Sequence, residues 1–206
     1  MAGPRLGILV SGGGTTLQNF LDRERAGTLE GEVAVVVSSG GKAMAVERAR
    51  SARKPCAVVP WRKSEGTGPF SAAVTRALEA EKVDLVLMAG FLRLYRFPRE
   101  WSGRVMNIHP ALLPAFGGHG MYGSAVHEAV VRSGARVTGC TVHFADLEYD
   151  RGPIILQRTC PVRWEDTPEE VGRRVFELER EAYPEAVALF ARGRLRIEDG
   201  RVRILP

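Results

Sequence analysis

Arg5-Leu6-Gly7-Ile8-Leu9-Val10-Ser11-Gly12-Gly13-Gly14-Thr15-Thr16-Leu17 joins a short apolar run to three consecutive glycines, and then to a helical spacing that continues through Phe20 and Leu21. This is strand, glycine loop, helix. The same alternation recurs downstream. Residues 33–37 are a continuous apolar strand, followed by a Ser-Ser-Gly-Gly turn and a helix over 42–52. Residues 56–59 make a third strand, and 60–69 a polar loop bearing Gly and Pro. A helix over 70–80 leads to a buried strand at 83–89, and residues 105–109 form another strand, stopped by Pro110. Strands that are apolar throughout and alternate with helices indicate a mostly parallel sheet covered on both faces. The fold class is therefore α/β, Rossmann-like.

The second half departs from strict alternation. A helix over 124–132 precedes two β-rich runs, 137–144 and 154–161, joined by an acidic, turn-forming loop at 146–153. That arrangement adds an antiparallel strand pair to the parallel sheet. Thr167 with Glu170 is a capping-box pattern opening a long helix through Val171, Val175, Leu178, Ala182, Val187 and Phe190. Residues 195–197 and 202–205, joined through Asp199-Gly200, close as a hairpin. No repeat, low-complexity stretch or interdomain linker interrupts the chain, and 206 residues suit a single domain, 1–206.

Composition narrows the class of function. A hydrophobic fraction of 45% and a charged fraction of 26% are those of an ordinary globular chain. The start, Met-Ala-Gly-Pro-Arg, leads straight into a strand, with no charged segment and apolar stretch of a secretory leader. No apolar run approaches the length of a membrane helix, and a cytoplasmic protein is expected. Cys56, Cys140 and Cys160 are odd in number and widely spaced, so they read as buried thiols. The four histidines lack the paired spacing of metal ligands, and no metal is expected. The net charge of +5 comes from scattered arginines. It suits an anionic small molecule or simply a solvated surface, and no basic cluster points to nucleic acid.

Two patterns carry chemistry. In the glycine loop the backbone can approach a ligand closely, and the free N–H groups and dipole of the following helix favour an anion. Thr15 and Thr16 add hydroxyls and an expected N-cap. The loop lacks the lysine of a P-loop and the third glycine of the dinucleotide fingerprint, so a single phosphate fits better. A tight turn without a ligand is the plain alternative. The second pattern is Val105-Met106-Asn107-Ile108-His109-Pro110, where strand alternation directs Asn107 and His109 to one face at the strand's carboxyl end. Taken alone, Asn-x-His is more simply a satisfied core histidine.

The acidic loop supplies Asp150. A His–carboxylate pair can move a proton near neutral pH, and an Asn amide with an imidazolium can stabilise an oxyanion. No Gly-x-Ser-x-Gly elbow is present, which favours direct attack by a substrate amine over a covalent enzyme intermediate. The glycine-rich stretch 115–123 follows the Asn-x-His strand, and reads as a mobile loop suited to closing over a substrate.

Ser11-Gly12-Gly13-Gly14-Thr15-Thr16-Leu17, Ala89-Gly90-Phe91-Leu92-Arg93, Asn107-Ile108-His109-Pro110-Ala111-Leu112-Leu113-Pro114, and Val142-His143-Phe144 through Asp150-Arg151-Gly152-Pro153 together resemble the phosphoribosylglycinamide formyltransferases, or GAR transformylases, of the folate-dependent formyl transferase family. The resemblance implies transfer of the formyl group of 10-formyltetrahydrofolate, as cosubstrate, to the amine of 5'-phosphoribosylglycinamide (GAR) in purine biosynthesis. It implies catalytic roles for Asn107, His109 and Asp150: His109 as general acid and oxyanion donor, Asp150 raising its pKa, and Asn107 binding the formyl oxygen. Gly14, Thr15 and Thr16 would hold the phosphate, and Glu179 would contact GAR. Leu92, Arg93, Leu94 and Tyr95, with Asn107, Asp146 and Tyr149, would line the folate pocket. Where the family usually has Ser-Asn, this chain has Thr15-Thr16. Arg62 and Lys63 are candidates to anchor the folate glutamate tail, and the stretch 117–123 is lengthened, so His119 has no family counterpart. The implied partners are small molecules, with no nucleic acid or membrane, and the oligomeric state is left open. Alternatives of other kinds are a 10-formyltetrahydrofolate hydrolase, whose family carries an extra N-terminal domain, a methionyl-tRNA formyltransferase, with an added C-terminal one, and a non-catalytic binder of phosphorylated metabolites.

Overall fold

The computed structural model describes residues 3–206; Met1 and Ala2, with which the leader reading begins, lie outside the described residues. The chain divides into two compact units, Met1–Met106 and Asn107–Pro206.

The first unit contains β1 (Arg5–Val10), α1 (Thr15–Arg25), β2 (Glu32–Ser38), α2 (Met44–Ser51), β3 (Cys56–Val58), α3 (Thr67–Ala80) and β4 (Leu85–Met88), then a 3-10 turn at Arg99–Trp101. β1 pairs in parallel with both β2 and β4, and β2 with β3. Leu6, Ile8, Leu9 and Val10 of β1 are completely buried. Each such side chain contributes about 1.5–3 kcal/mol by leaving water, which explains why this strand is apolar on both faces.

Two sequence expectations shift here. The helix expected over 70–80 begins at Thr67, because Pro69 falls in its first turn, where a missing N–H costs no intrahelical bond. Thr15 is not the N-cap of α1. That position is Gly14, in the left-handed region at φ 71, with no side-chain cap. A Cβ there would lie 2.7 Å from the Ala45 Cβ of α2, so both conformation and space require glycine.

β5 (Val105–His109) carries the chain across the boundary between the units. The second unit continues with α4 (Ser124–Ser133), β6 (Val137–Phe144), β7 (Ile154–Pro161), α5 (Pro168–Ala191), β8 (Leu195–Glu198) and β9 (Arg201–Ile204). The seven-stranded sheet runs in the order β3-β2-β1-β4-β5-β6-β7, and β8 and β9 form a separate antiparallel pair. β6 and β7 are antiparallel, as the acidic connection implied. Thr167 and Glu170 form the expected capping box: Thr167 Oγ1 accepts the Glu170 N–H at 3.3 Å, and Glu170 Oε2 accepts the Thr167 N–H at 2.8 Å. Asp199 (φ 47) and Gly200 (φ 71) turn the final hairpin with both central residues left-handed, as a two-residue primed turn requires. All three cysteines are free thiols, Cys140 and Cys160 buried and Cys56 partly so. Among the described residues, no helix is long and apolar enough to cross a membrane.

Candidate active site

β5 delivers its two polar side chains to one carboxylate. Asn107 Nδ2 donates to Asp150 Oδ1 at 3.3 Å, and His109 Nδ1 lies 3.5 Å from Asp150 Oδ2. Alternation along the strand puts Asn107 and His109 on the same side, and the β6–β7 loop brings Asp150 to meet them. The loop after β5 closes the arrangement from another direction. Gly118 N–H donates to Asp150 Oδ2 at 2.9 Å, and the Phe116 carbonyl lies 2.8 Å from His109 Nε2. The start of the glycine-rich stretch is thus hydrogen-bonded into this cluster rather than merely adjacent to it.

Hydrogen-bond chemistry assigns the protons. A carbonyl only accepts, so His109 Nε2 carries the hydrogen given to Phe116. Its Nδ1 is then the atom that takes up or releases a proton, facing the Asp150 carboxylate. Burial pushes the His109 pKa below its ordinary value, while Asp150 and the Phe116 carbonyl oppose it. The resemblance implied that Asp150 raises this pKa; it pulls in that direction, but desolvation outweighs it in the free protein. Burial would raise the Asp150 pKa, yet His143, His109 and the Gly118 N–H together hold it below the usual carboxylate value.

His143, to which the sequence reading assigned no role, belongs to the same cluster. Its Nδ1 faces the Phe144 carbonyl at 2.9 Å and must donate there; its Nε2 then accepts from Asn107 Nδ2 at 3.1 Å and lies 3.7 Å from Asp150 Oδ1. Both amide hydrogens of Asn107 are engaged, one by His143 and one by Asp150, which leaves its Oδ1 to accept. Donation from Asn107 to a formyl oxygen requires one of these bonds to be shared or exchanged.

The signal for His143 lies in pairing, not composition. The β6–β7 register shifts between Val142 and His143, and such a bulge re-aims a side chain next to a functional site. Asp150 is held by an equally local device, a left-handed backbone at φ 58. At Gly152 a Cβ would fall 1.8 Å from the Phe144 carbonyl oxygen, so the returning chain passes too close for any side chain.

The first unit gathers its own group of expected site residues. Ser11 N–H donates to the Gly90 carbonyl at 3.2 Å, and Ser11 Oγ accepts the Leu92 N–H at 3.0 Å. The glycine loop and the 90–95 segment are thus tied together. Leu92 is exposed, whereas Tyr95 is buried with its hydroxyl 2.9 Å from Thr75 Oγ1, so its side chain serves the core. Burial pushes the Tyr95 phenol up to about 12. The Arg93 guanidinium sits over the Trp61 ring, 5.6 Å from its centre, and Arg62 pairs with Glu65 at 2.9 Å. Lys63 is exposed.

The pattern of the formyl transferase family matches residues 4–187. The chain belongs to the formyl transferase family. It is 39% identical over 193 residues to the chloroplastic phosphoribosylglycinamide formyltransferase of Vigna unguiculata, covering 93% of this chain and 62% of that protein, less than two thirds of its length. The phosphoribosylglycinamide formyltransferase of Haemophilus influenzae is 34% identical over 95% of this chain and 91% of its own. Among solved structures, glycinamide ribonucleotide transformylase 1 from Symbiobacterium toebii superposes with a TM-score of 0.91 at 44% identity, covering all of this chain and 95% of that one.

The other residues expected to serve the site sit in the second unit. Asp146 Oδ1 accepts the Glu148 N–H at 2.8 Å, and Tyr149 meets the ring of His119 edge-on at 5.6 Å. Burial pushes the Glu179 carboxyl up to about 8, and its proximity helps raise the Cys140 thiol to about 12, where burial is the larger cause.

Proposed function

We propose that this chain is a phosphoribosylglycinamide formyltransferase, a single formyltransferase domain over 1–206, acting in the cytoplasm on the small molecules GAR and 10-formyltetrahydrofolate. The observation that carries the reading is the convergence of Asn107 and His109 on Asp150, beside a histidine that can titrate at Nδ1. The GAR amine attacks the formyl carbon, forming a C–N bond, and the bond from that carbon to N10 of the folate breaks. The amine must lose one proton and N10 must gain one. His109, with Asp150 stabilising its cationic form, is the group that donates and retrieves protons at this centre, and it stabilises the oxyanion together with Asn107.

Gly14, Thr15 and Thr16 hold the GAR phosphate, and Glu179 contacts its glycinamide. Leu92, Arg93, Leu94 and the backbone at Tyr95, with Asp146 and Tyr149, receive the folate. The imidazole of His109, the amide of Asn107 and the carboxylate of Asp150 serve the transfer in this reading, and no metal is invoked.

The test is to incubate the purified protein with GAR and 10-formyltetrahydrofolate, following formyl-GAR and formate separately. Formyl-GAR appearing in step with tetrahydrofolate is the expected result. Formate production independent of GAR would establish a hydrolase instead, and GAR binding with neither product a non-catalytic binder.

A further inference from the structure

The carbonyls of the glycine loop are drawn to one side by α2. Ala45 N–H donates to the Gly12 carbonyl at 3.2 Å, and Arg48 Nε donates to the Gly13 carbonyl at 2.9 Å. The peptides 12–13 and 13–14 are trans, since the one cis bond among the described residues is Leu113-Pro114. In a trans peptide the carbonyl and the following N–H point in opposite directions. Holding the carbonyls of Gly12 and Gly13 toward α2 therefore turns the N–H groups of Gly13 and Gly14 away from it. Neither N–H has an acceptor among the described residues, and Thr15 and Thr16 begin α1, where N–H groups have no partner within the helix. Successive outward N–H groups make an anion cradle.

Arg48 is suited to more than a structural bond. Its Nη1 donates to Gln18 Oε1 at 2.8 Å, and its Nη2 lies 3.7 Å from the Met44 sulfur. Among the described residues no carboxylate pairs with this half-buried guanidinium, and the first turn of α1 carries no acidic residue. A cation on the Gly13 carbonyl also polarises that amide, making the Gly14 N–H a stronger donor.

We propose that Arg48 is the positioning residue of the phosphate subsite: it clamps the Gly13 carbonyl so that the loop offers its N–H groups, and it supplies the nearby positive charge that favours a phosphomonoester over a neutral sugar. The inference rests on reading the glycine loop as the GAR phosphate site. Its fork geometry matters, because Nε and Nη1 reach Gly13 and Gln18 at once and a lysine ammonium cannot reproduce the planar pair.

Arg48→Met and Arg48→Lys are to be compared with the wild type in steady-state kinetics on GAR and on its dephosphorylated counterpart, glycinamide riboside. For Arg48→Met, KM for GAR should rise by about 10–100-fold, as expected for loss of a charge-assisted contact. Turnover at saturating GAR and KM for 10-formyltetrahydrofolate should stay within about threefold. The advantage of GAR over the riboside should shrink by the same factor, and inhibition by inorganic phosphate competing with GAR should weaken. Arg48→Lys should recover only part of the loss. Equal losses on GAR and riboside, or wild-type phosphate selectivity in Arg48→Met, would overturn the proposal, and full recovery by Arg48→Lys would overturn the clamp. Gly14→Ala separates the two levels. If it abolishes the GAR advantage while Arg48→Met does not, the loop binds phosphate without Arg48. If neither variant alters the advantage and phosphate still competes, the loop is not the phosphate site.

Discussion

Asp150 Oδ2 stands 3.5 Å from His109 Nδ1 while the Gly118 N–H holds the same oxygen at 2.9 Å. The carboxylate is thus fixed before any substrate arrives, and the imidazole atom that titrates is the one facing it. Replacing Asp150 by Asn keeps size and much of the hydrogen bonding but removes the charge. Turnover should fall by about 10²–10⁴-fold, the range for losing assistance to a general acid–base group, while KM for GAR stays within a few-fold. Stopped-time assays of formyl-GAR at saturating substrates give the answer. Near wild-type turnover would remove Asp150 from the mechanism.

His143 accepts from Asn107 through Nε2 while giving its own hydrogen to the Phe144 carbonyl. His143→Ala should leave the Asn107 amide held by Asp150 alone and lower turnover by about 10–100-fold, comparable to losing one buried neutral or charge-assisted hydrogen bond. Gln at this position can present a carbonyl acceptor and should restore part of the rate. Equal activity of the Ala and Gln variants would show that acceptance from Asn107 is not what His143 provides.

The depressed pKa of His109 has a consequence for acid stability. Unfolded, His109 titrates near about 6.5. Between its lower folded value and that pH the unfolded chain binds more protons, so stability rises with pH across this window and declines as pH falls through it. The melting temperature of the wild type relative to His109→Asn should be steady above about pH 7 and drop as the pH is lowered below about 6.5. His127 is also held below its ordinary value, chiefly by burial and then by His109, so it keeps the larger cause in both proteins and loses only the smaller one in the variant. A difference that does not change from pH 8 to pH 5 would contradict the assignment.

Gly152→Ala should be among the most damaging single-methyl additions in the second unit. The new Cβ meets backbone, the Phe144 carbonyl oxygen, and cannot be relieved by a side-chain rotation. A loss of about 2–4 kcal/mol is expected in denaturant unfolding, and because the shift falls two residues from Asp150, turnover should drop in the protein that still folds. Unchanged stability would mean that the loop has room to move.

The strands were legible where burial is total. The runs at 33–37 and in β1 are apolar on both faces because both faces are covered, and they can be recognised without any knowledge of contacts. The capping box at Thr167 and the Asp199-Gly200 turn were equally plain, since each is set by local chemistry. The convergence of Asn107 and His109 followed from alternation, and the resemblance named Asp150 as their partner. What was hidden depends on where another segment lies. Gly14 replaces Thr15 as N-cap because Ala45 crowds it, Tyr95 is drawn inward by Thr75, and His143 is aimed by a register shift that leaves no mark on composition. Pro69 misled for a different reason, a proline being as acceptable in a first helical turn as ahead of it.

The left-handed backbone of Asp150 is held in place by the bonds its carboxylate makes. A non-glycine residue in that region costs about 1 kcal/mol or more, and glycine would adopt the conformation freely. Asp150→Gly would relax the turn but leave the Gly118 N–H and the Asn107 amide without their acceptor, a loss of about 1–3 kcal/mol that matches or exceeds the strain relieved. The same contacts that ready the carboxylate for proton transfer are therefore what hold its backbone in a shape that a side chain alone would avoid.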